Sequence, residues 1–348
     1  MDLMLSADQE AIQTSVREFL DGELPMSRVR ELAQAGPDAL APLWRSAGEL
    51  GFFGLAVAEA QGGAGYAITE EMVLFEELGR VLAPGPWLGS VLAARALAAH
   101  GGKRDELARV LHGEIRAALV DGTAAASSLV ARDGELTGQA LYVPDSEGAA
   151  AFLVLAPEAV LWVPASAAVA VEPRPSLDPT RRIAHVRFSA ARADVLAGGD
   201  ASRALRRAAA VLSCAEAVGG IQRTVEMSVE YAKVRKQFDR PIGSFQAVKH
   251  RCADMAVRAE VARSSTTYAV VSVRDGAADQ DFQVSVAKIL CAGAYLQNAA
   301  DNVQNHGGMG FTWECDAHLY VKRARSFDVA FGSRLEQLDR LAAGFRAA

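Results

Sequence analysis

A glycine-rich turn near residue 305 contains residue types that can bind an anionic group. The turn is the run Gln304-Asn305-His306-Gly307-Gly308-Met309-Gly310-Phe311. Because glycine has no Cβ, the backbone N–H groups of Gly307 and Gly308 can approach a pyrophosphate closely. The amide of Gln304 can both donate and accept hydrogen bonds. Alone, such a run is more typical of a plain tight turn than of a phosphate site, so its interpretation depends on the rest of the chain.

A second stretch, from Tyr231 to Gln246, offers a cation for the same kind of ligand. Its sequence is Y-A-K-V-R-K-Q-F-D-R-P-I-G-S-F-Q. The planar guanidinium of Arg235 fits the oxygens of a pyrophosphate through paired hydrogen bonds. The alternative is that Arg235 is a solvated cation at a helix end.

Groups that could remove a proton are few near these stretches. The carboxylates available are Asp328, Glu336, Glu314 and Glu216. Each is more simply interpreted as a surface or capping acid. His306 lies beside the glycines, and an unperturbed imidazole titrates near about pH 6.5, within the range useful for acid–base catalysis.

Composition limits the kinds of protein that this chain can be. A length of 348 residues predicts two or three domains, and 51% hydrophobic residues are typical of a globular protein. The net charge of −6 excludes a strongly basic nucleic-acid-binding surface. Four widely spaced cysteines without a C-x-x-C pair indicate reduced core thiols rather than a metal site, and from the acidic start we expect no signal peptide. We therefore expect a cytoplasmic protein without a metal.

The elements that must position these residues follow a helical, β, helical order. We predict an N-terminal helical domain over residues 1–112, a small, reduced middle β domain over 113–198, and a C-terminal four-helix bundle over 199–348, an α+β multidomain fold. The predicted long helices of the bundle are 202–233, 245–274, 278–305 and 315–344. Ser6 and Gln9 form a capping box before the first helix, and Gly51 ends a helix that begins near Leu40.

The middle of the chain has the pattern of short strands. The predicted strands include 151–155, 159–163 and 183–188, each bounded by turn residues. The apolar stretch from Ala149 to Val171 is interrupted by Pro157, Glu158 and Pro164, whereas a membrane-spanning helix needs about 20 apolar residues. The sequence therefore predicts buried strands and no membrane span.

Together, the two stretches resemble the acyl-CoA dehydrogenase family. The family pattern R-x-x-F-G-x-P-I-x-x-F-Q is matched by Arg235, Phe238, Pro241, Ile242, Phe245 and Gln246. Asp239 stands where the family has glycine, and the distance to the Q-N-H-G-G turn also fits. The resemblance is closest over residues 205–325, weaker over 1–95 and weakest in the middle of the chain.

The resemblance implies FAD-dependent oxidation of an acyl-CoA thioester. In the family, a carboxylate removes the Cα proton while the Cβ hydrogen leaves as hydride to the flavin, and an electron-transfer flavoprotein usually accepts the electrons. The C-terminal domain also contacts the adenine and pyrophosphate end of an FAD held mainly by a neighbouring subunit. The residues that match this cofactor-binding set are Arg235, Phe238, Gln246, Gln304, Gly307 and Gly308. In the family motif, His306 is a framework residue.

Two other parts of the family site do not match. The β-domain segment beside the flavin ring, Y-x-x-T-E-P-x-x-G-S-D in the family, has no counterpart; residues 121–128 stand about where it belongs, and their hydroxyls suit turns. The catalytic glutamate of the family's Y-E-G-T turn aligns with Phe331, and the rarer position of the base falls near Ala209. Phenylalanine cannot take up a proton at any pH, and the weak substitute Asp328 lies three residues before Phe331.

These matches and gaps lead to one hypothesis and two alternatives. Some bacterial members of the family are α2β2 heterotetramers in which one subunit lacks the base, including enzymes that oxidise steroid side chains. We therefore expect a non-catalytic subunit that completes the FAD site of a homologous catalytic subunit acting on fatty or steroid-type acyl-CoA. The alternatives are a self-sufficient homo-oligomeric dehydrogenase that uses Asp328, and a scaffold protein that retains only the fold.

Overall fold

A computed structural model describes the backbone of residues 4–347 and the side chains of residues 4–343. Its internal contacts group into two compact units. The first, called the helical unit here, comprises the chain up to Met26, Met72–Ala83, and the chain from Ala210 onward. The second, called the sheet unit, comprises Ser27–Glu71 and Pro84–Ala209.

Helices dominate both ends of the chain, and strands occupy its middle. The helices are α1 Ala7–Glu23, α2 Met26–Gln34, α3 Ala41–Glu49, α4 Ile68–Arg80, α5 Trp87–His100, α6 Arg104–Leu111, α7 Gly199–Val234, α8 Gln246–Arg274, α9 Gln280–His306, α10 Ala317–Val329 and α11 Arg334–Ala347. The strands are β1 Ala117–Asp121, β2 Ser127–Arg132, β3 Glu135–Pro144, β4 Ala151–Leu155, β5 Ala159–Pro164, β6 Val169–Arg174, β7 Ile183–Arg192, β8 Asp194–Gly198, β9 Lys236–Gln237 and β10 Arg240–Pro241. Helices α7, α8 and α9 agree with the predicted segments to within a few residues.

The predicted helix over 315–344 is wrong, because the chain forms two helices there. Helix α10 ends at Val329, and α11 begins at Arg334. Between them, Phe331 and Gly332 have φ angles of +54° and +96°. A left-handed pair cannot continue a right-handed helix, so the chain must turn at this point.

The sheet unit contains two four-stranded sheets that share one buried apolar cluster. The first has the order β1-β4-β5-β8, with β1 and β4 parallel, and the second is the antiparallel sheet β2-β3-β7-β6. Phe152 of the first sheet packs edge-on against Phe188 of the second, with ring centroids 5.7 Å apart. The predicted strands are confirmed, and the apolar stretch that begins near Ala149 consists of β4, β5 and the start of β6.

Local signals in the N-terminal part also agree with the structure. Ser6 and Gln9 exchange backbone and side-chain hydrogen bonds of 3.0 and 3.2 Å, which confirms the capping box. Gly51 has φ +76° just beyond α3, as expected for a residue that ends a helix. Within the described residues, no helix is both long and apolar enough to cross a membrane.

Two glycines allow α4 and α7 to touch backbone to backbone in the helical unit. A Cβ placed on Gly79 would lie 1.8 Å from the carbonyl oxygen of Glu216, and one on Gly219 would lie 1.8 Å from that of Glu76. These separations are far below van der Waals contact, so no larger residue fits without moving a helix. The reciprocal contact therefore fixes the distance between the two helices.

We expect Gly219→Ala to destabilise the protein by about 2 kcal/mol or more, since the added methyl group must separate α4 from α7. Gly293→Ala on α9 is the matched control, because nothing lies within 4 Å of a Cβ at that position. The control should be neutral or stabilising by up to about 1 kcal/mol. Urea unfolding of both variants measures the difference, and equal effects would contradict the close approach.

Candidate functional site

A short hairpin follows α7 and presents the first part of the candidate site. Strands β9 and β10 pair in antiparallel register, and the N–H of Ile242 donates to the carbonyl of Arg235 at 2.8 Å. The two residues of the turn, Phe238 and Asp239, have φ angles of +52° and +62°. Such a turn favours glycine, which the family has at position 239. Strained backbone that persists in a structure is typical of functional segments.

The hairpin leads directly into the start of α8. The Phe238 ring is 86% exposed, and its edge meets the ring of Phe245 at a centroid distance of 6.1 Å. The guanidinium of Arg240 lies 4.2 Å from the centroid of the Phe245 ring. Phe245 precedes the first residue of α8, Gln246, and caps the helix with no side-chain hydrogen bond. The hairpin and the helix start therefore form one surface.

The glycine turn lies at the end of α9. His306 is the last helical residue, and its Nδ1 lies 2.8 Å from the carbonyl oxygen of Asn302. Gly307 then turns the chain with φ +62°. Nothing lies within 4 Å of a Cβ placed on Gly307 or Gly308. The backbone at both glycines therefore borders open space.

A ring stack joins the two parts of the site. The imidazole of His306 lies against the ring of Tyr231, with centroids 4.3 Å apart and an interplanar angle of 25°. Tyr231 is in the last turns of α7, immediately before the hairpin. The helix ends that carry Arg235 and Gly307 are thus brought together, and the framework role expected for His306 is consistent with this packing.

The exposed donors at these helix ends suit a pyrophosphate supplied from outside the chain. Within the described part of the chain, the side chains of Arg235, Gln246 and Gln304 make no hydrogen bond or ion pair. A free guanidinium, two free amides and open glycine backbone are the groups that bind phosphate oxygens. The predicted cofactor-binding set is therefore chemically compatible with the tail of a dinucleotide.

The segment 121–128 of the sheet unit differs, since the hydroxyls of Thr123 and Ser127 and the carboxylate of Asp121 already have partners within the chain. Asp121 accepts hydrogen bonds from the backbone N–H and the hydroxyl of Thr123 at 2.9 and 2.7 Å. Ser127 donates its hydroxyl to the Asp121 carbonyl at 2.8 Å, and Arg206 forms an ion pair with the Asp121 carboxylate at 3.2 Å. The hydroxyls of Thr123 and Ser127 thus serve the turn, and the Asp121 carboxylate is paired with Arg206.

Neither family position for the base carries an acid. The carbonyl of Phe331 accepts a hydrogen bond from the buried amide of Gln337 at 2.9 Å. Gly332 has φ +96°, a backbone conformation that favours glycine. Ala209 is completely buried in α7. The backbone turn is thus present without a group that could accept a proton.

The substitute acids are placed for structural roles. Glu336 accepts hydrogen bonds from the N–H and the hydroxyl of Ser333 at 2.6 and 2.9 Å, which caps α11. Glu216 forms a 2.5 Å ion pair with the buried Arg323. One carboxylate oxygen of Asp328 is buried without a hydrogen-bond partner among the described residues.

Comparison with known proteins identifies the family. The description "Acyl-CoA dehydrogenase, C-terminal domain" matches residues 199–345, and "Acyl-CoA dehydrogenase, N-terminal domain" matches residues 6–114. The acyl-CoA dehydrogenase IpdE2 of Mycobacterium tuberculosis is 35% identical over 308 residues, which cover 86% of this chain and 85% of IpdE2. The chain belongs to the acyl-CoA dehydrogenase family. Proteins of this family bind FAD.

Other relatives extend the comparison. The acyl-CoA dehydrogenase FadE34 of M. tuberculosis is 34% identical over 97% of this chain, which spans about half (47%) of FadE34. One chain of the ChsE4–ChsE5 complex from M. tuberculosis superposes with a TM-score of 0.91 at 29% identity and full coverage of both chains. A chain of the Tcur3481–Tcur3483 steroid acyl-CoA dehydrogenase G363A variant gives 0.90 at 28% identity, covering 98% and 99% of the two chains.

The fold is that of the family, with an N-terminal helical domain, a central β domain and a C-terminal helical domain. The matched spans lie close to the predicted bounds of the helical domains, 1–112 and 199–348. The positions of these bounds, and of the middle domain at 113–198, stay a prediction.

Sequence reasoning missed two ionisable groups inside the helical unit of this acyl-CoA dehydrogenase homologue. The ammonium of Lys288 donates to the carbonyl of Phe327 near the end of α10 and lies 3.5 Å from the centroid of the Phe327 ring. Burial lowers the pKa of Lys288 to about 8. Burial raises the pKa of Glu76 to about 7, although the positive charge of Arg263 acts to lower it. One carboxylate oxygen of Glu76 lacks a hydrogen-bond partner among the described residues. The signal that could have found them is a charged residue on the apolar side of its helix.

The raised pKa of Glu76 predicts a pH-dependent stability. The folded protein holds this proton up to about pH 7, whereas the unfolded chain loses it near about 4.3, so the stabilisation present at low pH is lost as the pH rises. Glu76→Gln should therefore match the parent protein near pH 4.5 and become more stable than it by up to about 3 kcal/mol at pH 8. Chemical unfolding at both pH values measures this, and a difference that does not change with pH would contradict it.

Proposed function

We propose that the chain is a non-catalytic subunit of an FAD-dependent acyl-CoA dehydrogenase and that it completes the FAD site of a homologous catalytic subunit. The observation that carries the proposal is a contrast within one chain. The donors for a pyrophosphate are free and lie at the end of α7, the start of α8 and the end of α9, while Phe331 and Ala209 occupy the positions that the resemblance assigns to the base.

The residues of this chain would hold the cofactor tail. The fork of Arg235 would pair with pyrophosphate oxygens, and the backbone at Gly307 and Gly308 would approach them without steric hindrance. The amides of Gln246 and Gln304 would complete the polar contacts, and the exposed ring of Phe238 offers an apolar surface to the nucleotide. FAD supplies the redox chemistry when bound, and the proton-abstracting carboxylate would come from the partner.

The contacts in the sheet unit support the proposal that another subunit holds the flavin ring. In segment 121–128, the hydroxyls of Thr123 and Ser127 are used by the turn itself, and Arg206 is bound to Asp121. A flavin ring placed there would have to break these contacts and approach a carboxylate. The ring is therefore better held by another polypeptide.

The relatives favour a two-chain enzyme acting on a bulky acyl-CoA. One similar structure is a complex of ChsE4 with ChsE5, and another is described as a steroid acyl-CoA dehydrogenase. By analogy, we propose a hetero-oligomer that oxidises fatty or steroid-type acyl-CoA and passes electrons to an electron-transfer flavoprotein. The free thiols of the four cysteines suit the reducing cytoplasm.

Purification of the chain alone and together with an acyl-CoA dehydrogenase homologue from the same genome that carries the family's base tests the proposal. We expect the lone chain to contain little FAD and to show no dehydrogenase activity. The co-expressed complex should contain FAD and oxidise an acyl-CoA in an assay with an artificial electron acceptor. Stoichiometric FAD together with activity in the lone chain would contradict the proposal and would support the homo-oligomeric alternative.

Arg235→Gln in the co-expressed complex tests the cofactor contact directly. Loss of a charge-assisted pair of hydrogen bonds costs about 2 kcal/mol, so the Kd for FAD should rise about thirtyfold. Arg45→Gln, an exposed arginine of the sheet unit, is the matched control and should leave the Kd unchanged. Titration of the FAD-depleted complex, followed by flavin fluorescence, measures both values. An unchanged Kd in Arg235→Gln would favour the scaffold alternative.

A further inference from the structure

A row of buried asparagines runs along one side of α9 and leads to the glycine turn. Asn298, Asn302 and Asn305 are spaced four and three residues apart, so they share one face of the helix. Each is at most 5% exposed. Asparagine is a residue that proteins mostly leave exposed, so a buried row of it needs a physical reason.

The side-chain oxygen of each asparagine accepts a hydrogen bond from a neighbouring helix. The pairs are Asn298 with Nε of Arg258 on α8 at 2.7 Å, Asn302 with Oγ of Ser228 on α7 at 2.9 Å, and Asn305 with Nη1 of Arg251 on α8 at 2.9 Å. A buried amide costs free energy unless it is hydrogen-bonded, and a bonded one favours a single arrangement of the elements it joins. The row therefore sets how α9 lies against α7 and α8.

The pair formed by Arg251 and Asn305 connects two segments of the candidate site. Asn305 stands two residues before Gly307. Arg251 lies five residues after Gln246, which is the first residue of α8. Their hydrogen bond therefore joins the start of α8 to the end of α9, whereas the ring stack of the candidate site joins α7 to α9.

The surroundings of Asn305 fix the orientation of its amide. Arginine donates hydrogen bonds and accepts none, so the side-chain oxygen of Asn305 must face Arg251. The amide nitrogen then lies 3.6 Å from Sγ of Cys252 and 3.6 Å from Sδ of Met255, and both sulfur atoms are weak acceptors. Nε of Arg251 also lies 3.9 Å from the carboxylate of Asp301 on α9. Arg251 thus bonds Asn305 more strongly than either sulfur does, and Asp301 helps to hold the guanidinium in place.

Stability alone gives little reason for a buried polar pair at this point. Well-packed apolar side chains of similar size often stabilise a protein as well as a buried polar or charged contact does. A polar contact of defined geometry instead favours one alignment of two helices over neighbouring alignments. Alignment matters at the glycine turn, because a backbone N–H must lie within about 3.2 Å of a phosphate oxygen to bond it.

We propose that Arg251 and Asn305 are positioning residues for the cofactor, whose hydrogen bond holds the glycine turn at the distance from the start of α8 that a pyrophosphate requires. This inference rests on the proposed function, because it concerns the same FAD tail. The two residues act through Gly307 and Gln246 rather than by contact with FAD. Loss of either one lets the end of α9 shift against α8, and the open backbone then no longer meets the phosphate oxygens.

Asn305→Ala and its matched control Asn298→Ala, each in the co-expressed complex, test this role. Both variants remove a buried amide that accepts from an arginine of α8, but Asn298 lies nine residues before Gly307 and Asn305 only two. We expect Asn305→Ala to raise the Kd for FAD about tenfold and Asn298→Ala to change it by less than about twofold. Titration of the FAD-depleted complex, followed by flavin fluorescence, measures both values. Urea unfolding of the two variants should show similar losses of stability, so that a difference in Kd reports on position.

Arg251→Met tests the same pair from its other side. The Arg251 side chain is 32% exposed, so the variant should fold even if the loss of a buried amide is poorly tolerated. We expect Arg251→Met and the double variant Arg251→Met/Asn305→Ala to raise the Kd for FAD by about the same factor as Asn305→Ala, because the two residues act through one bond. A double variant whose effect is the product of the two single effects would contradict a joint role.

The remaining outcomes separate this inference from the proposed function. An unchanged Kd for FAD in Asn305→Ala, together with a raised one in Arg235→Gln, would leave the proposed function standing and reduce the pair to a packing contact. Equal rises in Asn305→Ala and Asn298→Ala would show a general effect of lost stability and would overturn the positioning role. Failure of the parent complex to bind FAD would overturn the proposed function and this inference together.

Discussion

The stacking of Tyr231 on His306 is the contact on which the arrangement of the candidate site depends. The two rings belong to the ends of α7 and α9, which are otherwise far apart in sequence, and they lie 4.3 Å apart. The hairpin that contains Arg235 follows Tyr231, and the glycine turn follows His306. The contact between these two rings therefore fixes the distance between the hairpin and the open backbone of the turn. The same imidazole is bonded to the Asn302 carbonyl, so its orientation is set from both sides.

At Phe331, the position that the resemblance aligns with the family's base, the chain makes a left-handed turn whose side chains cannot accept a proton. The amide of Gln337 binds the carbonyl of Phe331 in the turn after α10, and the ammonium of Lys288 binds the carbonyl of Phe327 in the last turn of α10. Maintaining a left-handed phenylalanine costs about 1 kcal/mol or more, so the surrounding contacts must stabilise it.

The sequence predicted the parts of the structure that depend on local patterns. The capping box at Ser6, the strand over 151–155 and the helices α7 to α9 follow from periodicity and from turn residues close by. The break between α10 and α11 was missed because apolar spacing continues through Phe331, and only the backbone angles reveal the turn. The position of Lys288 and Glu76 on the apolar sides of their helices could have been predicted, but how deeply each charge is buried depends on which helices pack around it, and a single sequence does not give that packing.

The site itself was predictable by residue type, whereas the state of each residue was not. Arg235 and Asp121 are both charged residues near the end of an element. Their neighbours along the chain do not show which of the two side chains has a hydrogen-bond or ion-pair partner. The structure separates them: Arg235 has no partner among the described residues, while Asp121 is held by Thr123 and Arg206. A group already satisfied within the chain gains little from a ligand, because binding must first break its existing contacts. The free side chains near Arg235 therefore suit binding of the pyrophosphate end of a dinucleotide, whereas the occupied side chains near Asp121 do not suit binding of its ring. This contrast supports the proposal that the cofactor is shared with another subunit.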